Sequence, residues 1–448
     1  MKNMTVEKAA SICGGSIFGE KLPEREIGRA VIDSRAVEPG DMFVAYRGEK
    51  VDGHDYISAA LEKGAACCLA ERVPEGTAGP VILVEDVQKA LEAIAAAYRE
   101  SLSLPVVGIT GSVGKTTAKE MVSSVLGQKL KVLKTEGNLN NQIGVPMTLS
   151  RIEPQHQAAV VEMGISGFGE MTCLARMARP TVAVFTLIGH AHLEFLHDLE
   201  GVFKAKTEML ALMPEDGTVV VNGDDPWLAG LRCRQRLIRC GLGEGCDVRA
   251  ENVESLADGS TGCRIVCQDR SISVHIPAHG RHLIYAAMEA AAVGMTLGLT
   301  DEEIARGIAA YEVVGRRGTV WAGEKLTLVD DSYNANPDSM RCAIDSMRDM
   351  PGRHICILAD MLEMGQDAGA MHFELGKYAV QHGMDAVFCC GELGREIARG
   401  AGEKGRWFES RDELERELSQ LIEKGDTVLV KASRGMHLEY IAEALKKI

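Results

Sequence analysis

A glycine-rich turn between a β-branched strand and a helix is the feature that most limits how this chain can fold. Residues 110–117 read TGSVGKTT and directly follow the apolar segment 106–109. Glycines let such a turn curl until its backbone N–H groups point at phosphate oxygens, and the start of the next helix adds partial positive charge. A strict phosphate loop has glycine at the position of Ile109, so this loop is a variant.

The pattern predicts that an α/β fold binds ATP at this turn. Lys115 would reach the β- and γ-phosphates, and Thr116 would ligate Mg²⁺. A glycine-rich turn that only precedes a helix is the alternative. The residues predicted to bind ATP here are Thr110, Gly111, Ser112, Val113, Gly114, Lys115, Thr116 and Thr117.

The chain of 448 residues is too long for one ordinary domain and divides into three segments. Residues 1–103 alternate short strands with helices. Residues 104–316 contain continuous apolar strands, which favour a parallel sheet covered on both faces, and an antiparallel extension over 246–276. Residues 317–448 show a second doubly wound α/β pattern. Its strands are predicted at 326–330, 354–359, 386–390 and 427–431.

Composition argues against several classes of protein. A net charge of −15 does not suit general nucleic-acid binding, which needs concentrated Lys and Arg. The 13 cysteines are scattered and odd in number, which is typical of a reducing compartment rather than a disulfide framework. No stretch approaches the ~18 apolar residues of a membrane span, and the N-terminus lacks the apolar core of a signal peptide. We therefore expect a cytoplasmic protein.

Several further motifs follow one another along the chain. They are DSR at 33–35, GDMFVA at 40–45, EGNLNNQIGVP at 136–146, VEMG at 161–164, GHAHLE at 189–194, AKTE at 205–208 and DDSYNANP at 330–337. Together with TGSVGKTT they resemble the Mur ligases and the related folylpolyglutamate synthetases, over essentially the whole chain. The form at 330–337 is similar to the family member that adds D-alanyl-D-alanine.

The resemblance implies three α/β domains and an ATP-dependent amide ligase. The domains are a small uridine-binding domain at 1–103, a central P-loop domain with a parallel sheet at 104–316, and a C-terminal Rossmann-like domain at 317–448. The ATP γ-phosphoryl group would pass to the carboxylate of UDP-N-acetylmuramoyl-tripeptide, and the D-alanyl-D-alanine amine would attack the acyl phosphate. The resemblance further implies a monomer with two Mg²⁺ ions, acting on small molecules in peptidoglycan precursor synthesis.

Four residues carry the implied chemistry: Lys115, Glu162, His192 and Lys206. Glu162 ends an apolar strand, where ligands collect in open α/β sheets, and would bind one Mg²⁺; a solvated carboxylate is the alternative. His192 would bind the second Mg²⁺, and a structural histidine is the alternative. Lys206 would carry a carbamate that holds Mg²⁺, with Lys204 as its competitor two residues away.

The substrate contacts that the resemblance implies come from all three segments. Ser34, Arg35 and Asn138 would bind the UDP-muramoyl substrate, although the first two also suit an ordinary turn. Asn334 and Asn336 would orient the dipeptide, or else form an Asx turn that caps the next helix.

The third segment would also contact the nucleotide when it closes about a hinge near 315–319. Arg316 would touch the ATP phosphates, and Arg317 is able to take its place. Asp331 would anchor the ribose. Further candidates after the last strand are Lys431, Ser433 and Arg434.

Three positions depart from the pattern of the family. Leu187 and Ala286 stand where asparagines are usual near the nucleotide site, and Val314 replaces a proline. These departures keep open a nucleotide-binding paralogue without ligase activity. Another Mur-type ligase or a folylpolyglutamate-type ligase is the remaining alternative.

Overall fold

The computed structural model describes residues 1–19, 25–48, 50–256, 259–278, 280 and 282–448. Three β-sheets flanked by helices succeed one another along the chain, which confirms the predicted α/β class. All 13 cysteines are free thiols. No helix in these residues has the length and apolar character that crossing a bilayer requires.

The first sheet is parallel except at one edge. Its strands are β1 (Ser16–Phe18), β2 (Ala30–Val31), β3 (Met42–Val44), β4 (Cys67–Ala70) and β5 (Val81–Leu83), with helices α1 (Val6–Cys13), α2 (Ile57–Glu62) and α3 (Val87–Glu100). The order is β1-β5-β4-β3-β2, and only β1 pairs antiparallel, with β5. Cys67 and Cys68 are buried in β4, as their apolar run predicts.

The middle sheet is the largest and contains the phosphate loop. Its strands are β6 (Val106–Thr110), β7 (Val132–Lys134), β8 (Ala158–Glu162), β9 (Val182–Phe185), β10 (Thr218–Asn222), β11 (Arg236–Gly241), β12 (Val248–Ser255), β13 (Thr261–Cys267) and β14 (Arg270–Ile276). Its helices are α4 (Lys115–Leu126), α5 (Gly144–Ser150), α6 (Glu170–Ala178), α7 (Leu193–Leu196), α8 (Leu199–Thr207), α9 (Pro226–Ala229), α10 (Leu283–Thr296) and α11 (Asp301–Ala309). The order is β14-β13-β12-β11-β10-β9-β6-β8-β7, and the antiparallel pairing of β12, β13 and β14 confirms the predicted extension.

The third sheet has a parallel centre and one antiparallel edge. Its strands are β15 (Thr319–Ala322), β16 (Leu326–Asp330), β17 (His354–Leu358), β18 (Ala386–Cys390), β19 (Gly405–Phe408) and β20 (Asp426–Lys431), with helices α12 (Pro337–Met347), α13 (Ala368–Gln381), α14 (Gly394–Ala401), α15 (Arg411–Leu421) and α16 (Glu439–Leu445). The order is β15-β16-β20-β17-β18-β19, with β15 antiparallel to β16.

The packing of α3 joins the first sheet to the middle one. This helix packs against α5 and α6, and its buried residue Arg99 donates hydrogen bonds to four backbone carbonyls: Ala178, Leu102, Leu104 and Arg179. On the opposite face of the middle sheet, α4 packs against α10 and α11. The parallel strands β6, β8 and β9 are neighbours, so their carboxyl ends meet at one edge, where ligands bind in such sheets.

Candidate active site

The phosphate loop joins β6 to α4 at the carboxyl edge of the middle sheet. Gly111 has φ +154°, and a Cβ there would lie 2.0 Å from Thr186 Oγ1, so only glycine fits. The Ser112 N–H donates to the Leu187 carbonyl at 2.7 Å, which braces the loop against the segment after β9. Lys115 Nζ donates to the Gly111 carbonyl at 2.7 Å, and burial lowers the Lys115 pKa. The loop thus has the shape that the sequence predicts.

Glu162 ends β8 with its carboxylate buried beside the loop. Its Oε2 accepts a hydrogen bond from Thr116 Oγ1 at 2.9 Å, and its Oε1 accepts one from Asn140 Nδ2 at 2.8 Å. Its own N–H donates to Thr135 Oγ1 at 3.0 Å. The residue is only 2% exposed, so it is not a solvated carboxylate.

The structure separates the two candidate lysines of α8. Lys206 is 1% exposed, and no hydrogen bond or ion pair joins its amine to a described residue. Burial and the nearby ammonium of Lys115 lower the Lys206 pKa well below its ordinary value. Lys204 instead pairs with Glu200 at 2.6 Å in solvent. Of the two, only Lys206 is buried, although it is not among the residues that line the cavity described below.

Two carboxylates from segments beside the third sheet contact the histidine motif, which follows β9 of the middle sheet. Asp338, in the first turn of α12, accepts from the His190 N–H at 2.6 Å and lies 3.1 Å from His190 Nδ1. Glu363 Oε2 lies 2.5 Å from His192 Nδ1. Burial lowers the His192 pKa, against the opposing charge of Glu363. A neutral imidazole is the form that binds metals.

A cavity of about 450 Å³ lies between the phosphate loop and the third sheet. The third sheet contributes Arg317, whose guanidinium lies 3.9 Å from the ring centre of Tyr333. Arg316, the residue predicted to touch the phosphates, instead pairs with Asp330 at 2.9 Å and Glu443 at 2.8 Å and does not line the cavity. Of the two arginines, the alternative Arg317 is therefore the one that lines the cavity.

The motif at 330–337 forms the third-sheet wall of the cavity. Asp331 pairs with Lys431 at 2.6 Å, and Lys431 Nζ donates to the Asn334 carbonyl at 2.8 Å. Asn336 caps α12, because its Oδ1 accepts from the Ser339 N–H at 2.8 Å. Asn334 and Asn336 both line the cavity. Asn336 therefore caps the helix and also faces the cavity.

The residues predicted to bind the UDP-muramoyl substrate are not all at the cavity. Asn138 lines it, whereas Ser34 and Arg35 lie in a turn of the first sheet. Arg35 pairs with Asp33 at 2.8 Å, and its hydrogen bond lowers the Asp33 pKa to about 2. Thr110, also predicted at the nucleotide, is fully buried at the end of β6 and does not line the cavity.

Sequence reasoning missed several residues of the site. Asn140 lies inside the quoted motif 136–146, so the motif was the available signal for it. Tyr333 lies inside the quoted motif 330–337 without having been given a role, and Arg317 was named only as the alternative to Arg316. Asp338 and Glu363 reach the site only because two sheets meet, and no local pattern indicates them.

Three family models match successive parts of the chain. They are the Mur ligase family catalytic domain at residues 26–99, the Mur ligase middle domain at 109–294, and the Mur ligase glutamate ligase domain at 315–434. The UDP-N-acetylmuramoyl-tripeptide–D-alanyl-D-alanine ligase of Bacillus subtilis (strain 168) is 35% identical to this chain, with 99% of each chain covered. The enzyme of that name from Escherichia coli (strain K12) is 34% identical, covering 100% of this chain and 99% of that one.

Solved structures of similar proteins superpose over nearly the whole chain. A crystal structure of MurF from Acinetobacter baumannii gives a TM-score of 0.92 at 30% identity and covers 99% of both chains. MurF ligase from Thermotoga maritima in complex with ADP gives 0.83 at 30% identity, covering 96% of this chain and 99% of that one. The family models, the identity to these relatives and the shared three-sheet architecture lead to one conclusion: the chain belongs to the Mur ligase family.

Proposed function

We propose that this chain joins D-alanyl-D-alanine to UDP-N-acetylmuramoyl-tripeptide with ATP, releasing ADP and phosphate. The observation that carries the proposal is the cavity in which Lys115, Glu162 and His192 of the middle sheet face Arg317 and Asp331 of the third. In this proposal the nucleotide occupies the cavity with its phosphates at the loop, and the second substrate lies beside its outermost phosphate. The names of the B. subtilis and E. coli relatives support the choice of substrates.

In the first step, a carboxylate oxygen of the tripeptide attacks the γ-phosphorus, and the bond to the ADP oxygen breaks. The loop N–H groups and the Lys115 ammonium neutralise charge on the phosphates, and Arg317 adds a second cation from the third sheet. In this scheme Asp331, which lines the cavity, would accept hydrogen bonds from the ribose. These fixed charges need no rearrangement as the γ-phosphoryl group moves.

The residues beside the loop fit Mg²⁺. Thr116 and Glu162 bring a hydroxyl and a carboxylate oxygen within 2.9 Å of each other, and hard cations prefer oxygen ligands. Bound there, Mg²⁺ would neutralise phosphate charge. The described residues contain no group of three or more His, Cys, Asp or Glu side chains able to hold a metal, which suits an ion that keeps water and phosphate ligands. His192 and a carbamate on Lys206 would hold a second Mg²⁺.

The environment of Lys206 supports its conversion to a carbamate. A neutral amine attacks the carbon of CO₂, an N–C bond forms, and one proton leaves to solvent. Burial beside Lys115 favours the neutral amine that this reaction needs. The product replaces a buried neutral amine with an anion, which favours a metal at this place.

In the second step, the dipeptide amine attacks the carbonyl carbon of the acyl phosphate. The C–O bond to phosphate breaks, and the nitrogen loses a proton to solvent. Asn334 and Asn336 supply amide groups on the third-sheet side of the cavity, from which the dipeptide would enter. In this scheme residues 1–103 bind the uridine end, through Ser34 and Arg35, and 317–448 close over ATP. We place this reaction in a cytoplasmic monomer, where ATP is available.

A phosphate-release assay across UDP-muramoyl peptides and amine substrates tests the proposal. Lys115→Ala and Lys206→Ala are each expected to lower the rate by at least about 100-fold, because each removes a charge at the reacting phosphates. Lys204→Ala is the matched control and is expected to retain activity, since its partner Glu200 lies in solvent.

Three outcomes of this assay would contradict the proposal. Phosphate release that ignores both the tripeptide and the dipeptide would indicate a nucleotide-binding paralogue. Release that requires glutamate and a folate would indicate a folylpolyglutamate-type ligase. Release with a different amine on a shorter muramoyl peptide would indicate another addition step.

A further inference from the structure

The contact between Glu363 and His192 joins two sheets at the place where the second metal ion would bind. His192 precedes α7 of the middle sheet and lines the cavity. Glu363 lies in the segment between β17 and α13 of the third sheet, and its side chain is 45% exposed. Their side chains meet through Nδ1 and Oε2.

The backbone around this pair is held in an unusual conformation. His192 has φ 56° and Glu363 has φ 62°, a left-handed region that residues other than glycine rarely adopt. The Glu194 N–H donates to the Glu363 carbonyl at 3.2 Å, so a main-chain bond crosses between the sheets at the same point. Such strain persists only where the surroundings enforce it, and it concentrates at functional sites.

The neighbouring contact anchors the same loop a second time. Asp338 accepts the His190 N–H, and a side chain at Gly189 would overlap its carboxylate. Burial opposes ionisation of Asp338, but hydrogen bonds from His190 outweigh it and keep its pKa below the ordinary value. The loop that presents His192 is therefore held at two points by carboxylates of the third sheet.

The hydrogen bond to Glu363 decides which nitrogen of His192 is free. When Nδ1–H donates to a carboxylate, the ring is fixed as the tautomer whose Nε2 carries a lone pair. Carboxylates commonly orient metal-binding histidines in this way and raise their basicity. Here the orienting carboxylate and the histidine belong to different sheets.

We propose that Glu363 is a positioning residue that orients His192 for metal binding only when the third sheet lies closed on the middle one. The inference rests on the proposed function, in which His192 holds the second Mg²⁺. Closure of the third sheet on the middle one would then complete the second metal site. ATP that binds while the two sheets lie apart would not react until they close. Asp338 supports this arrangement by fixing the position of the loop.

The test uses the full-length protein with Mn²⁺ and the non-hydrolysable analogue AMP-PNP. Pulsed electron paramagnetic resonance detects ¹⁴N coupling when a histidine nitrogen binds Mn²⁺, and this readout needs no turnover. We expect the coupling in the wild type, its loss in His192→Ala, and at least a threefold weaker signal in Glu363→Ala. Glu363→Gln keeps an acceptor without the charge and should lie between. Asp367→Asn, an exposed change nearby, is the matched control and should equal the wild type.

A second readout is the Mg²⁺ concentration at half-maximal phosphate release, expected to rise about 10-fold in Glu363→Ala. Thermal melting of each variant checks that it folds. Absence of ¹⁴N coupling in the wild type, or wild-type coupling in Glu363→Ala, would overturn the inference. If the wild type releases no phosphate with the tripeptide and dipeptide, the proposed function fails, and the resonance experiment still decides the role of Glu363.

Discussion

A buried glutamate in α10 makes the stability of the middle sheet depend on pH. Glu289 is 1% exposed, and its Oε1 has no hydrogen-bond partner among the described residues. Burial raises the pKa of its carboxyl well above the ordinary 4.5. The folded protein therefore keeps this proton to a higher pH than the unfolded chain does.

The sign and size of the effect follow from this difference in bound protons. Because the folded state holds the extra proton, the contribution of Glu289 to the free energy of unfolding is fully present below pH 4.5. This contribution is lost as the pH rises through the folded pKa. Each pH unit between the unfolded and the folded pKa costs about 1.4 kcal/mol. Glu289→Gln keeps the shape of the side chain and removes the titrating group.

The assay compares thermal unfolding of Glu289→Gln and the wild type from pH 5.5 to 7.0. All other titrating groups cancel when the two proteins are compared. We expect the difference in their free energies of unfolding to shift in favour of the variant by about 1.4 kcal/mol for each pH unit below the folded pKa. Glu244→Gln makes the same change at an exposed position and should show no such trend. A difference that stays constant with pH would refute the reasoning, whatever its size.

Two further substitutions test the packing and the site. Arg99→Lys removes guanidinium hydrogen bonds from α3 to the Ala178 and Arg179 carbonyls at the end of α6, so the free energy of unfolding should fall by about 2 kcal/mol in urea; an unchanged midpoint would contradict this. Asn140→Ala leaves one oxygen of buried Glu162 without its donor, and kcat/KM for phosphate release should fall about 10-fold. Unchanged kinetics would show that Glu162 is oriented without this amide.

The central strands of the sheets could be predicted from the sequence because their signal is local. The predicted strands 326–330 and 386–390 coincide with β16 and β18, whose residues are nearly all buried. The edge strands β15 and β19 were missed, since each is half exposed and lacks a continuous apolar run. A strand at an edge depends on its neighbour for pairing, and the neighbour is not visible in the local sequence.

The parts of the site that escaped prediction are decided by contacts between distant segments. Lys206 was chosen over Lys204 from the motif at 205–208, but its burial depends on the packing of α8. Arg316 and Arg317 are adjacent, so the direction of the backbone selects which one faces the cavity. The pairing of His192 with Glu363 spans two sheets and has no counterpart in a motif.

Leu187 and Ala286 stand where the family pattern has asparagines, so two polar side chains are lost near the nucleotide site. This loss has little effect on the site. Leu187 holds the phosphate loop through its carbonyl, which accepts the Ser112 N–H, and any residue supplies that oxygen. Ala286 is buried among apolar residues of α10 and does not line the described cavity, where an asparagine would need a buried partner. In the proposed function the phosphates are bound by backbone N–H groups and Lys115, and neither departure alters these groups. The capacity to bind ATP therefore depends on the curvature of 110–117, which the carbonyl of position 187 preserves.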